Sequence, residues 1–224
     1  MVIQAFEDDV VENYNTNQTL GEKIFGYFIS IIFHPLFVPV YVVWFLIYIH
    51  PDAFLGFSPE AKSNVLLIVI INIVVFPLIT VLLLRALKFI DSIQLHSRRD
   101  RIIPYIASGI FFFWAYNVFR EQPQYSSLIK TFLLGIFLAS SGGLIANIYF
   151  KVSMHAIGMG GWLGFFFMMF INNSMQMTWP LAFVILATGL VCTARLMISS
   201  HKPSDLVGGL LLGIASQLIS SFFL

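Results

Sequence analysis

The chain has 224 residues, of which 58% are hydrophobic and only 10% are charged, and its formal net charge is +1. A soluble domain of this length needs far more polar surface. A net charge this small gives no basis for binding nucleic acid through bulk charge. The single cysteine, Cys192, lies in an apolar run, so it cannot form an internal disulfide and its expected role is packing.

The N-terminal residues 1–20 are acidic and polar, which is the opposite of a secretory signal that starts basic and then turns apolar. We expect these residues to form a polar, acidic tail. The remaining residues, 21–224, contain no linker long enough to separate domains, and they predict a single transmembrane helical domain.

Seven apolar segments follow in chain order, at 24–49, 64–90, 102–119, 128–149, 155–172, 179–199 and 205–224. A helix of about 20 apolar residues crosses a hydrocarbon core of ~30 Å. The runs are continuous, whereas the strands of a transmembrane β-barrel alternate apolar and polar residues. The sequence therefore predicts an all-α, polytopic transmembrane helical bundle with six to seven spans.

Some of these segments carry residues that interrupt a helix or let helices approach closely. Pro35 and Pro39 predict a kink or a break in the first segment, and Asn72 and Pro77 predict a kink in the second. Two pairs of glycines at four-residue spacing predict close packing of helix backbones, namely Gly160 with Gly164 and Gly209 with Gly213.

Three connections between the segments are polar: DSIQLHSRRDR at 91–101, FKVSMH at 150–155 and SSHKPSD at 199–205. Two crossings separate each from the next, so all three are predicted to face the same side of the membrane. Nine of the 12 Lys and Arg residues fall on that side. The positive-inside rule then favours a cytoplasmic location for that side. If six of the nine basic residues serve a site, however, three remain on each side of the membrane and the rule does not decide the orientation. We expect an integral, multi-pass protein of a bacterial inner (cytoplasmic) membrane.

The polar connections bring together cationic side chains, two histidines and a carboxylate, namely Arg98, Arg99, Arg101, Lys151, His155, Arg195, His201, Lys202 and Asp205. Guanidinium groups match the oxygens of phosphate in pairs. A histidine beside a carboxylate suits nucleophilic or general-base chemistry, and a second histidine can protonate a leaving group. His201 and Asp205 are four residues apart and share one helical face. Pro203 predicts that a helix begins near 202–204, with its N-terminus towards the site.

The stretch ARLMISSHKPSD, residues 194–205, resembles the third motif of the type 2 phosphatidic acid phosphatase superfamily, S-R-x-x-x-x-x-H-x-x-x-D. Arg195, His201 and Asp205 match this motif, and Ala194 replaces its serine. KVSMHAIG resembles the second motif, P-S-G-H, through Ser153 and His155. HSRRDRIIP loosely resembles the first motif, K-x-x-x-x-x-x-R-P, around Arg101.

The resemblance implies a metal-independent phosphatase without a cofactor, in which a histidine attacks phosphorus and forms a phosphohistidine. Carried over to this chain, His201 is the nucleophile, Asp205 orients it, and His155 protonates the leaving group. The side chains that hold the phosphoryl oxygens are Arg195, Arg101 and Lys151, with Ser153 donating through its hydroxyl or amide. The expected substrate is a lipid phosphate or an isoprenoid diphosphate, with the apolar bundle holding its tail.

Three alternatives remain open at this point. His155, His201 and Asp205, with His96 or Asp100, are also suitable ligands for a catalytic zinc ion. A non-enzymatic protein that binds or transports lipid phosphates is consistent with the drifted first and second motifs. The charged residues are also typical of helix ends that meet lipid headgroups.

Overall fold

The computed structural model describes residues 19–90, 98–172, 175–198 and 201–223, and these ranges contain helices and connections but no strand. The helices in chain order are α1 (Leu20–Ile32), α2 (Val38–Tyr48), α3 (Pro59–Ile70), α4 (Phe76–Ala86), α5 (Arg98–Arg120), α6 (Ser127–Tyr149), α7 (Met154–Ile171), α8 (Thr178–Met197) and α9 (Pro203–Ser220). A π-helical turn, Ile71–Val75, joins α3 to α4, and a 3₁₀ turn, Ser221–Phe223, follows α9. The all-α prediction is confirmed.

Six helical stretches within the described ranges are long and apolar enough to cross a membrane: Pro59–Ala86, Arg98–Arg120, Ser127–Tyr149, Met154–Ile171, Thr178–Met197 and Pro203–Phe223. They correspond to the second through seventh predicted segments. The chain is therefore a multi-pass helical membrane protein, as its composition indicates.

The first predicted segment, 24–49, is not one continuous helix. α1 ends at Ile32 and α2 begins at Val38, and these helices have only 13 and 11 residues. Pro35 has no amide hydrogen with which to continue α1, whereas Pro39 lies in the first turn of α2, where a helix tolerates proline. The predicted break is present, and it leaves two helices that are each shorter than a typical membrane span.

Asn72 and Pro77 also interrupt the helix, as predicted, but more gently. The π-helical turn contains Asn72, whose side-chain amide donates to the carbonyl of Ile68 at 2.8 Å. Pro77 lies in the first turn of α4. The π-helical turn changes the hydrogen-bond pattern just before Pro77, which has no amide hydrogen to donate. Pro59–Ala86 therefore stays one helical stretch that is long enough to cross a membrane.

Residues 1–18 of the predicted tail lie outside the described residues. Thr19 caps α1, because its hydroxyl accepts from the amide of Glu22 at 3.3 Å and the Glu22 carboxylate accepts from the amide of Thr19 at 2.7 Å. The last two residues assigned to the tail therefore cap and begin a helix.

The polar connections meet at one end of the bundle, which we call the polar end. α5, α7 and α9 begin there, and α6 and α8 end there. The contacts that show this are Arg98 Nη1 to the Tyr149 carbonyl at 3.3 Å and the Ser153 amide to the Asp205 carbonyl at 3.2 Å. The predicted convergence of the three connections is thus observed for their described residues.

α7 and α9 share the most extensive contact between helices, and glycines allow it. Gly160 and Gly164 of α7 face α9, while Gly209 and Gly213 of α9 face α7 and its N-cap, Ser153. A Cβ atom at any of the four would approach backbone atoms of the opposite element to 2.9 Å or less. The four-residue spacing therefore brings two parallel helix backbones into direct contact.

Replacing Gly209 by Ala tests this packing, with Gly208→Ala as the matched control. A Cβ on Gly209 would lie 2.8 Å from the Cβ of Ala156, whereas a Cβ on Gly208 would meet no atom within 4 Å. We expect Gly209→Ala to lower the free energy of unfolding by about 1–3 kcal/mol through overpacking. Gly208→Ala should be neutral or stabilising by up to about 1 kcal/mol, because alanine is the better helix former. Thermal unfolding in detergent measures both, and equal effects would contradict the assigned contact.

Candidate active site

The third motif places a histidine and a carboxylate in direct contact at the start of α9. His201 Nδ1 lies 3.3 Å from Asp205 Oδ2, which also accepts from the amide of Lys202 at 3.2 Å. Asp205 therefore caps α9 and holds the imidazole at the same time. A neutral His201 donates its Nδ1 hydrogen to the carboxylate, which leaves the lone pair on Nε2 for chemistry. The His201 side chain is only 2% exposed.

Ser153 joins the start of α7 to the start of α9. Its hydroxyl accepts from the amide of Ala156 at 3.4 Å, which caps α7, and its own amide donates to the Asp205 carbonyl at 3.2 Å. Because this amide already has an acceptor, the hydroxyl hydrogen is the donor that Ser153 can offer to a substrate. The predicted substrate contact of Ser153 stays a prediction in that form.

His155, in the first turn of α7, contacts α1 and the break that follows it. Its Nε2 lies 3.0 Å from the carbonyl oxygen of Ser30, and its ring packs edge-on against His34 with the ring centroids 5.4 Å apart. Arg195 Nη1 donates to the Ser30 hydroxyl at 3.5 Å. Sequence reasoning assigned no role to Ser30 or His34, and the only signal for them was the polar and proline-containing interruption of an apolar segment.

The predicted phosphate-binding cations lie around the pair formed by His201 and Asp205. Arg101 is 6% exposed and donates to the carbonyl of Val152 at 3.1 Å, so it lies beside the second motif. Arg195 Nε is buried and has no hydrogen-bond partner within the described ranges. Lys151 is close enough for its charge to act on both His201 and Asp205. These positions give the site an excess of positive charge.

Arg98 and Arg99 lie differently from Arg101. Arg98 donates to the Tyr149 carbonyl, and its own carbonyl accepts from the side-chain amide of Asn147 at 2.8 Å, so Arg98 links α5 to α6. Arg99 is exposed. This placement agrees with the alternative that these two arginines stabilise helix ends.

The environment of His201 favours its neutral form. Burial lowers the pKa of His201 to about 4; the hydrogen bond to Asp205 opposes this shift, and the charges of Arg195, Arg101 and Lys151 add to it. The imidazole is therefore unprotonated at neutral pH, as a nucleophile must be.

Of the ligands considered for zinc, His96 lies outside the described residues. Among the residues that the structure describes, no three His, Cys, Asp or Glu side chains form a group that could hold a metal ion.

Comparison with known families adds a finding that rests on more than these motifs. The model of the PAP2 superfamily matches residues 105–223, which is more than half of the chain. The chain belongs to the PAP2 superfamily. The resemblance seen in the sequence is thereby confirmed, and this PAP2 superfamily member belongs to a group of phosphatase-type membrane enzymes that act on phosphate esters. The matched region includes His155 and the third motif but not Arg101 or α1. No curated protein and no solved structure matches the chain.

The lowered pKa of His201 predicts how the stability of this PAP2 superfamily member depends on pH. Between the ordinary pKa of 6.5 and the folded-state pKa of about 4, the unfolded chain binds the proton more tightly. The free energy of unfolding should therefore fall as the pH is lowered through this window, by up to about 3 kcal/mol from His201. His201→Asn keeps a donor for Asp205 but does not titrate, so its decline should be shallower. Thermal unfolding in detergent from pH 7 to 4 measures the difference, and parallel profiles would contradict the assignment.

Proposed function

We propose that the protein is an integral membrane phosphatase that hydrolyses a lipid phosphate or an isoprenoid diphosphate through a phosphohistidine on His201. Membership of the PAP2 superfamily supports phosphatase chemistry in general. The observation that carries the specific proposal is the partly buried pair of His201 and Asp205 at the start of α9, with the cations Arg101, Arg195 and Lys151 around it.

In the first proposed step, His201 Nε2 attacks phosphorus and the bond from phosphorus to the leaving oxygen breaks. His155, doubly protonated while the anionic substrate is bound, gives a proton to that oxygen, which leaves as an alcohol or as a protonated phosphate. Asp205 keeps its hydrogen bond to Nδ1 throughout and stabilises the positive charge that develops on the imidazole.

In the second proposed step, a water molecule attacks the phosphohistidine, and the bond between Nε2 and phosphorus breaks. His155 is neutral after the first step, so it accepts a proton from the attacking water. Inorganic phosphate is released, and both histidines return to their starting protonation states. The sequence consumes one water and needs no other reactant.

The phosphoryl oxygens are proposed to lie against Arg101, Arg195 and Lys151. Arginine contributes paired donors, and the buried Nε of Arg195 is one donor that the described residues leave available. α7 and α9 both begin at this place, so the positive ends of their dipoles add to the attraction for an anion. Such fixed donors stabilise the negative charge that develops in a transition state.

A substrate with an apolar tail agrees with the surroundings of the site. α1 turns Ser30 towards His155, but its outer side carries exposed apolar residues, Ile24, Phe28 and Ile31. A tail could therefore lie along apolar helices while the phosphate reaches the polar end.

The helical, multi-pass architecture also agrees with an inner-membrane location, and the distribution of basic residues favours a cytoplasmic site. Both remain parts of the proposal.

Release of inorganic phosphate from phosphatidic acid or a polyprenyl diphosphate by the purified protein in detergent tests the proposal. His201→Ala should lower kcat by about 10³-fold or more, because the nucleophile is lost. Arg195→Ala should lower kcat/KM by about 10²-fold. Arg120→Ala is the matched control, because Arg120 lies in the last turn of α5 and is exposed beside Glu121. No release above the level of folded His201→Ala protein would refute phosphatase activity on these substrates.

The same preparation separates the two alternatives. A catalytic metal would make phosphate release sensitive to a strong chelator and would be recovered by metal analysis. The proposed phosphohistidine route predicts no effect of the chelator and no bound metal. A lipid-phosphate-binding protein would bind phosphatidic acid in vesicles without turnover, and this binding would survive His201→Ala. Val152 and Met154 stand where the second motif has proline and glycine, and the amide of Ser153 is engaged. These are the observations that favour testing this second function.

A further inference from the structure

The break between α1 and α2 lies against the candidate active site, although it precedes the region that matches the family. Ser30 and His34 are four residues apart and both contact His155. Ser30 is 5% exposed, and His34 is partly buried. Pro35 packs against α7 at Gly158, where an added Cβ would lie 3.4 Å from the Pro35 Cα. The break is therefore packed onto the first turns of α7.

Ser30 can fix the tautomer of His155. A carbonyl oxygen only accepts hydrogen bonds, so the 3.0 Å contact requires that His155 Nε2 carries the hydrogen. The Ser30 carbonyl is available because the amide of His34 bonds to the carbonyl of Ile31 instead, at 3.3 Å. Neutral His155 in the substrate-free site then keeps its lone pair on Nδ1, which is the nitrogen that takes up a proton when the anionic substrate is bound and passes it to the leaving oxygen.

The Ser30 hydroxyl contacts Arg195, the second functional side chain beside this serine. It donates to the Gly26 carbonyl at 2.8 Å and accepts from Arg195 Nη1 at 3.5 Å. Gly26 itself lies against the end of α8, where a Cβ would come within 3.3 Å of the Ala194 carbonyl oxygen. α1 therefore lies close enough to α8 for one serine to contact both Arg195 and His155.

His34 restrains the His155 ring from another direction. The two rings meet edge to face, with an interplanar angle of 83°. His34 is itself held, because its Nδ1 accepts from the amide of Leu36 at 3.3 Å. A ring fixed at Nε2 by a carbonyl and on its surface by a second ring has little freedom to rotate. A group that transfers protons depends on such orientation.

We propose that Ser30 and His34 are positioning residues of the active site, which hold His155 in the Nε2-protonated tautomer and hold Arg195 beside it. This inference rests on the proposed phosphatase function for its kinetic consequences, but the tautomer and orientation of His155 can be observed without turnover. On this proposal, α1 and the break that follows it contribute residues to the active site.

The kinetic test compares His34→Leu with His34→Phe, using phosphatidic acid in detergent. Leucine removes the ring, so we expect kcat to fall by about tenfold or more with KM changed less than about twofold. Phenylalanine keeps the edge-to-face contact and should retain kcat within about threefold of the unmodified protein. Equal losses in the two variants, or no loss in folded His34→Leu, would overturn the assignment to His34.

The test of Ser30 uses Ser30→Ala with Thr193→Ala as its control. Both hydroxyls donate to a carbonyl four residues earlier, at 2.8 Å and 2.9 Å, but Thr193 is exposed, and the hydrogen bond of its hydroxyl is confined to α8. Loss of the contact to Arg195 should raise KM by about threefold or more in Ser30→Ala alone. A matching change in both variants, or none in either, would overturn the role of the hydroxyl.

Long-range ¹⁵N–¹H NMR of histidine-labelled protein gives the readout that does not depend on activity. In the substrate-free protein, the His155 signals, assigned by their loss in His155→Gln, should show a hydrogen on Nε2 alone, and in substrate-free His34→Leu they should show a mixture of tautomers. A protein that shows this pattern but releases no phosphate would refute the proposed function and leave the positioning intact. A hydrogen on Nδ1, or no change in His34→Leu, would overturn the positioning even if phosphate is released.

Discussion

The direct contact between the backbones of α7 and α9 is the constraint on which the rest of the site depends. Both helices begin at the polar end and run in the same direction, so their dipoles reinforce rather than cancel each other there. Glycines bring the axes close, and the bond from the Ser153 amide to the Asp205 carbonyl fixes the relative height of the two helix starts. His155 and His201, which lie at those starts, are brought to the same place as a result. The proposed chemistry therefore depends on the glycines that let α7 and α9 approach each other.

The charges around His201 explain why this place favours an anion. Arg101, Arg195 and Lys151 lie around a single pair in which Asp205 is the only carboxylate assigned to the site. Like charges repel more strongly where water is scarce than in bulk water. A bound phosphate group would offset this repulsion while using the same donors. The cluster of Arg101, Arg195 and Lys151 around His201 is therefore the property that would drive the binding of an anionic substrate.

The sequence allowed prediction of those features that depend on local spacing or on counting membrane crossings. His201 and Asp205 were placed together by their four-residue interval, the start of α9 by Pro203, and the shared face by the number of apolar segments. Ser30 and His34 could not be predicted in this way. Their roles depend on where α1 packs, and a break in an apolar segment shows that a helix ends without showing which helix it meets. The engaged amide of Ser153 was missed for the same reason, because its acceptor lies 52 residues away in the chain.

The break between α1 and α2 frees backbone groups that need hydrogen-bond partners, and here one of those partners belongs to the candidate active site. The last four carbonyls of α1 lack partners within the helix unless the chain beyond it supplies them. Two of them accept from the amides of Phe33 and His34, and that of Ile32 accepts from the Tyr41 hydroxyl at 2.9 Å. The fourth, that of Ser30, meets His155. The same bond therefore satisfies a freed carbonyl of the fold and fixes the tautomer of the proposed proton donor. In a regular helix that continued through His34, the amide of His34 would bond to the Ser30 carbonyl and compete with His155 for that acceptor.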